Sequence, residues 1–505
     1  MSTHLQLISP DRLRQRFSQA MSRMYRDEVP AYGALVNLTQ QVNARVLADN
    51  PLLHAELTAS ARLEGLSEER HGAIRVGTAA ELADVARLFA LLGMQPVGYY
   101  DLSVAGLPVH STAFRPVSEE ALRVNAFRIF TSLLRLDLLD DVALRHTSEQ
   151  LLAGREIFTA RARAFIDRAE HEGGVAEVEA DDFIAEVVQT FRWHATARAD
   201  AALYSRLDQI HSLVADVVCF QGPHINHLTP RTLDIDEIQR QMPAHGMHPK
   251  ETIEGPPRRA CPILLRQTSF KAIEEPIRFP ADGQQWTSGS HRARFGEVEQ
   301  RGIALTRRGR ALYDTLLERT RASLSVTREA SVSRDAEACV GSAQDVFSAF
   351  PDDWITLREQ QLAWFDYRLT EAGAAAARDR CHASDVSELL ERGWVHAIPI
   401  VYEDFLPVSA AGIFRSNLGT ESGDTFQRSP NRAAFEEALG RAVLDEDTLY
   451  AAQQAASIAQ CLAAFAHASA PAQGGGLASP DALPAHAVAP IQPGGTSDLP
   501  RSETH

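Results

Sequence analysis

The 505-residue chain is poor in cysteine, nearly devoid of lysine and without long apolar runs, and each shortage excludes something. Cys219, Cys261, Cys339, Cys381 and Cys461 are scattered, odd in number and never spaced as CxxC, which argues against a disulfide framework or a thiolate metal site. No apolar stretch approaches the roughly 18 residues that a membrane span needs, and the Met1–Pro10 start lacks a basic segment followed by an apolar one. A soluble, cytoplasmic protein with no membrane partner is expected. Positive charge is short as well: 50 Lys+Arg against 66 Asp+Glu leave a net charge of −16, so the broad basic surface that binds phosphate backbones is missing and nucleic acid is not expected as a partner. Only Lys250 and Lys271 are lysine, the other basic residues being arginine. Genome composition explains this bias; alternatively, two sites demand a compact point charge in place of a planar fork.

What is present is a chain with 45% hydrophobic residues, enough for one large core or a few modest ones. The first fifty residues read as two helices, with Leu13, Phe17, Met21 and Met24 on one stripe and Leu35, Leu38, Val42 and Val46 on the next. From Glu69 the pattern becomes βαβββ. A strand at 71–76 is followed by a helix capped by Thr78 and Glu81 and ended by Gly93, then by strands near 97–101, 107–114 and 127–134. The same order returns about 150 residues later: a strand at 224–229, a helix capped by Asp234 and Glu237, and strands at 251–254, 262–270 and 294–300. Gly93-Met94-Gln95-Pro96 matches Gly246-Met247-His248-Pro249, and Ser111-Thr112-Ala113-Phe114 resembles Gln267-Thr268-Ser269-Phe270. The fold class read from this is α+β, with two βαβββ modules (about 69–135 and 222–302) and helical insertions outside. Residues 1–64 form an N-terminal helical segment and 65–468 the catalytic domain. Residues 469–505, with six prolines and five glycines, form a disordered tail.

Strand periodicity puts His71 and Arg75 on one face of the first strand. It puts Ile225 and His227 together on the first strand of the second module, with His224 on the other face. Glu297 and Glu299 share a face of its last strand. A buried carboxylate needs a cation, and two histidines with one carboxylate compose the facial triad of non-haem Fe(II) oxygenases, leaving positions open for a bidentate 2-oxo acid and O2. The bland alternatives are a Glu299–Arg301 pair on a solvated face and histidines that cap or decorate the surface.

With these residues in place, the repeated unit resembles the vicinal oxygen chelate superfamily. The stretch Ile225-Asn226-His227-Leu228-Thr229 looks like its ligand-bearing first strand. Glu297 stands three residues before Gln300-Arg301, as in the metal-binding strand of the 4-hydroxyphenylpyruvate dioxygenase group, and that spacing selects Glu297 over Glu299. The closer resemblance, from about Tyr25 to Leu418, is to the 2-oxoadipate dioxygenase/decarboxylase family of bacterial lysine breakdown. It is carried by Arg70–Arg75, Gly222–Arg231, Ile253–Arg259 and Arg294–Gly302. The resemblance implies a barrel-like sheet cupping Fe(II), held by His71, His227 and Glu297. It further implies Arg75 as the catalytic, substrate-contacting arginine, Val408 and Ser409 lining the substrate pocket, and conversion of a 2-oxo dicarboxylic acid, 2-oxoadipate, with O2 to 2-hydroxyglutarate and CO2. Rival readings are an oxygenase of aromatic 2-oxo acids, which Arg75 disfavours, a Zn- or Mn-dependent lyase or isomerase, and a metal-free binding protein.

Overall fold

The computed structural model describes residues 6–59, 63–103, 106–281, 285–330, 344–406 and 431–466. The expected tail at 469–505 lies outside them. The architecture is α+β, and its centre is a five-stranded sheet in the order β2-β3-β4-β1-β5. Its strands are β1 (Glu69–Val76), β2 (Gln95–Asp101), β3 (Val109–Arg115), β4 (Arg128–Leu134) and β5 (His227–Pro230). β1 runs parallel to β4, whereas β3 is antiparallel to both β2 and β4. The helix Ala79–Leu91 follows β1, so the first module has the expected βαβββ order. Thr78 caps it by accepting from the Glu81 N–H at 3.2 Å. The Glu81 carboxylate does not return to Thr78; it accepts from the Gly77 N–H and is clamped by Arg155.

The second module repeats the frame with its own strand neighbours. β5 is followed by the helix Ile235–Gln241, β6 (Leu265–Ser269) and β9 (Glu297–Arg301). β9 pairs antiparallel with β6, and a parallel bridge links Arg231, just past β5, to Glu299. The segment expected as a strand at 251–254 contributes one antiparallel bridge, Glu254 to Gln267. The literal repeats occupy equivalent places. Gly93 and Gly246 both end their helices with positive φ (69° and 74°). Pro96 then pairs with Phe114 in one module and Pro249 with Phe270 in the other. Between β6 and β9 the second module carries an extra hairpin, β7 (Glu274–Ala281) and β8 (Gln285–Arg292). Farther along, β10 (Phe365–Leu369) and β11 (Val395–Pro399) form a separate antiparallel pair.

The two modules meet where β1 and β5 pair antiparallel, with His71 opposite Thr229 and Ala73 opposite His227. Glycine is required behind this seam, since a Cβ at Gly72 would sit 2.6 Å from Ile225 Cδ1. Regular pairing begins only at His227, and this corrects the expected strand at 224–229. Ile225 meets Gly72 on the face away from His71, so it does not share a face with His227.

The N-terminal helices Pro10–Glu28 and Pro30–Asp49 bury the stripes read from their spacing, except that Val46 is half-buried. Phe17 is fully buried and meets Phe127 and Phe191 edge-on, with ring centroids 6.2 and 5.7 Å away. Tyr25 reaches farther: its hydroxyl lies 2.8 Å from the carbonyls of both Asn226 and Phe295, tying the approaches to β5 and β9 together. Five helices between Val142 and Cys219 form the expected helical layer. No described helix is long and apolar enough to cross a membrane. Removing the Phe17 ring opens a cavity between the N-terminal helix and the first module. Phe17→Ala should therefore cost about 3–5 kcal/mol of unfolding free energy, read from the midpoint of urea denaturation.

Candidate metal centre

Three adjacent segments of sheet each deliver one side chain to a common point. His71 comes from β1, His227 from β5 and Glu297 from β9, and all three are buried. One potential ligand atom from each lies within 4.8 Å of the others, the one such His/Cys/Asp/Glu group among the described residues. His71 Nε2 is 2.8 Å and His227 Nε2 4.0 Å from Glu297 Oε1. The imidazole rings stand nearly perpendicular, 5.5 Å apart. Ala73 faces His227 across the seam, and its small side chain leaves room on the shared face.

The donor set fits a divalent cation. Glu297 Oε2 and His227 Nδ1 are buried without a hydrogen-bond partner among the described residues, an arrangement that is costly unless something else engages the cluster. Two imidazoles and a carboxylate in open array suit Fe(II). Burial drags the His227 pKa down to about 3 against the pull of Glu297, so its ring is neutral, the form that binds metal. Burial also opposes ionisation of Glu297, but the hydrogen bond and charge of His71, together with Lys250, outweigh it and hold the carboxylate below its ordinary range.

A second layer orients these groups. His71 Nδ1 lies 2.8 Å from Glu299 Oε2. Glu299 is gripped by Arg301 through Nε and Nη2 at 2.6 and 2.9 Å. Arg301 Nη1 also donates to the carbonyls of Tyr402 and Asp404. The Glu299–Arg301 pair foreseen on a solvated face is thus wholly buried and holds a histidine in place. Burial depresses the His71 pKa, but Glu299 and then Glu297 more than compensate, leaving it above the ordinary value. Thr229 donates to Glu297 Oε1 at 3.1 Å and Gln267 Nε2 donates to the same oxygen at 2.7 Å. Phe295 stacks on His227 and Phe405 packs edge-on to His71, closing the sides to water. Of the two lysines, Lys271 is exposed, whereas Lys250 is buried with its ammonium 2.9 Å from Glu254.

Arg75 lies farther along the same face of β1 and is buried. Its Nη1 donates to Asp216 Oδ2 at 2.5 Å, an acidic partner whose identity the sequence pattern did not reveal. His224, set aside as a ligand, lies by the same carboxylate, 3.3 Å from Asp216 Oδ1. Val408 and Ser409 lie outside the described residues. The supporting residues that sequence reasoning missed are Thr229, Gln267, Asp216 and His291. The signal available for Asp216 was a lone carboxylate within the apolar helix Ser212–Cys219.

The family model and the curated relatives, at 39–53% identity, carry one family name. The family model described as 2-oxoadipate dioxygenase/decarboxylase matches residues 17–417. A 2-oxoadipate dioxygenase/decarboxylase of Pseudomonas putida is 53% identical over 458 residues, covering 91% of this chain and 98% of the relative. One from Escherichia coli K12 is 52% identical over 454 residues, covering 90% and 98%. The crystal structure of the hydroxyglutarate synthase of Pseudomonas putida in complex with 2-oxoadipate superposes with a TM-score of 0.82 at 50% identity, covering 91% of this chain and 99% of that one.

The buried histidines also set a pH limit on the fold. Burial lowers the pKa of His224 and His227 to about 3 and of His110 to about 4. The unfolded chain therefore binds protons at these positions from about pH 6.5 downward while the folded chain does not. Unfolding free energy of the metal-free protein should fall between pH 6.5 and 4, by up to about 1.4 kcal/mol per pH unit for each histidine, as followed by denaturant titration at a series of pH values.

Proposed function

Because the chain belongs to the 2-oxoadipate dioxygenase/decarboxylase family, we propose that it converts 2-oxoadipate and O2 to 2-hydroxyglutarate and CO2, with Fe(II) held by His71, His227 and Glu297. The observation that carries this reading is the buried His71–His227–Glu297 cluster, with a carboxylate oxygen and a ring nitrogen left without hydrogen-bond partners among the described residues. A cytoplasmic place in lysine breakdown goes with it. When bound, Fe(II) supplies the centre that chelates the 2-oxo acid and activates O2.

The chain's own residues bind, orient and exclude water. Glu299 and Arg301 fix the His71 ring from behind, so Nε2 faces the cluster. Gln267 and Thr229 hold Glu297 Oε1 by hydrogen bonds. Phe405 and Phe295 line the histidines with apolar surface, which favours reaction over loss of reactive species to solvent. Arg75 holds the distal carboxylate of the substrate: a guanidinium has five N–H donors in a planar fork, and pairing fixes which carbon faces the oxidant.

Fe(II)-reconstituted protein should consume O2 and release CO2 with 2-oxoadipate in an oxygen-electrode assay. Alanine at His71, His227 or Glu297 should abolish both turnover and iron retention, whereas Glu299→Gln should keep the ligands and weaken iron binding by about 10–100-fold. Iron retained by His227→Ala but lost by His224→Ala would refute the ligand assignment.

Arg75→Ala should lower kcat/KM for 2-oxoadipate by the equivalent of about 2–5 kcal/mol while iron stays bound, and should reduce the preference for it over 2-oxohexanoate, which lacks the distal carboxylate. Arg75→Lys keeps the charge but loses the fork and should fall between. An arginine that serves only to neutralise Asp216 would show lost stability with selectivity unchanged.

A further inference from the structure

Building on the reading of Arg75 as the anchor for the distal carboxylate, we propose that Asp216 is the positioning residue that aims Arg75, and that Asp216 is itself fixed by a hydrogen-bonded line through His291 to Tyr204. Asp216 lies in the helix Ser212–Cys219 with its side chain buried. Oδ2 accepts from Arg75 Nη1 at 2.5 Å, and Oδ1 lies 2.9 Å from His291 Nε2. Both oxygens are therefore engaged, and the carboxylate cannot rotate without breaking a contact.

The line continues outward. Tyr204 Oη is 2.8 Å from His291 Nδ1. A carboxylate can only accept, so Nε2 of His291 carries the proton and Nδ1 accepts from the tyrosine hydroxyl. That fixes the tautomer. Trp193 stacks nearly parallel to the His291 ring, with 3° between the planes, and Phe220 packs against it at 4.8 Å, so the imidazole is held on its face as well as at both nitrogens. A long arginine side chain has many rotamers, and a rigid partner removes most of them before a substrate arrives. A merely neutralising carboxylate needs no such chain of supports behind it.

The origin of these groups supports a dedicated role. The cluster His71, His227 and Glu297 lies on strands of the repeated frame. Asp216 comes from the helical layer between the modules, and His291 from β8 of the hairpin that the first module lacks. The metal centre belongs to the repeat and the device that aims the anchor belongs to the insertions.

The test compares the Fe(II)-loaded wild type with Asp216→Ala, Asp216→Asn, Tyr204→Phe and Arg75→Ala. It measures kcat and KM on 2-oxoadipate and 2-oxohexanoate, iron content, Tm, and anaerobic calorimetric binding of 2-oxoadipate. Asp216→Ala should raise KM and Kd for 2-oxoadipate by about tenfold or more and cut the preference for the dicarboxylic acid by a similar factor, with iron content unchanged. Asp216→Asn still accepts one hydrogen bond from Arg75 and should show a smaller loss in the same direction. Tyr204→Phe should show the smallest. If Asp216→Asn and Tyr204→Phe fold, hold iron and keep the wild-type preference while Arg75→Ala loses it, the positioning role is overturned and the anchor stands, whether or not Asp216→Ala folds. If Arg75→Ala also keeps the preference, the anchor reading itself has failed.

Discussion

The antiparallel seam between β1 and β5 is the contact on which the rest of the site depends. Neither module contains the full set of metal-seeking side chains: the first contributes His71, the second His227 and Glu297. Pairing opposite residues puts His71 beside Thr229 and Ala73 beside His227, and in an antiparallel pair opposed side chains share a face. A slip of one residue would send His227 into the core behind the sheet and Leu228 into the cluster. Register is secured from behind by Gly72, whose absent Cβ lets Ile225 and Leu228 pack close. Tyr25 adds a tether by bonding the approach to β5 and the approach to β9 through one hydroxyl.

Around this seam the chain buries an unusual amount of charge, and arginine makes that tolerable. Glu299 is held by Arg301, and Asp404 by Arg115 through two parallel bonds at 2.7 and 2.9 Å. Glu403 lies between Arg70 and Arg128. A buried ion pair repays its desolvation only when geometry is good and the remaining donors are satisfied. Arg301 meets that condition by also capping the carbonyls of Tyr402 and Asp404. The network ties the segment 402–406 to the back of the His71–His227–Glu297 cluster. It also separates the two carboxylates of β9. Glu299 has both oxygens committed to Arg301 and His71, whereas Glu297 keeps one oxygen without a partner among the described residues, so Glu297 is the carboxylate with a lone pair to offer.

Much of this was legible in the sequence where elements are regular, and little where they are not. Alternation on β9 correctly grouped Glu297 with Glu299, because that strand is regular from end to end. The same reasoning misplaced Ile225, because residues before His227 are steered by other bonds: Ile225 N–H goes to Phe191 O and Asn226 N–H to Ala73 O. The β7–β8 hairpin escaped notice since Pro276 and Pro280 interrupt the first strand and the second is largely polar and exposed. Asp282-Gly283 between them was the available turn signal. Partners distant in sequence, such as Arg75 with Asp216, are set by tertiary packing and leave no spacing to read.

The separation between repeated frame and insertions bears on how such a site can be specific. A metal cluster tolerates little displacement, since ligand bonds of about 2 Å fix its atoms closely, and strands of a paired sheet are the stiffest elements available to hold it. Recognition of a distal carboxylate makes a different demand, for a charge at a set distance from the cluster along the same strand face. In the role proposed for it, Arg75 meets the distance because it shares β1 with His71, but a guanidinium on a long stem does not hold its own direction. Direction has to come from outside the sheet, and the helix carrying Asp216 and the hairpin carrying His291 are the elements that reach Arg75 from there. On the proposed roles of His71, Arg75 and Asp216, chemistry and selectivity are held by different parts of one fold, joined through a single strand.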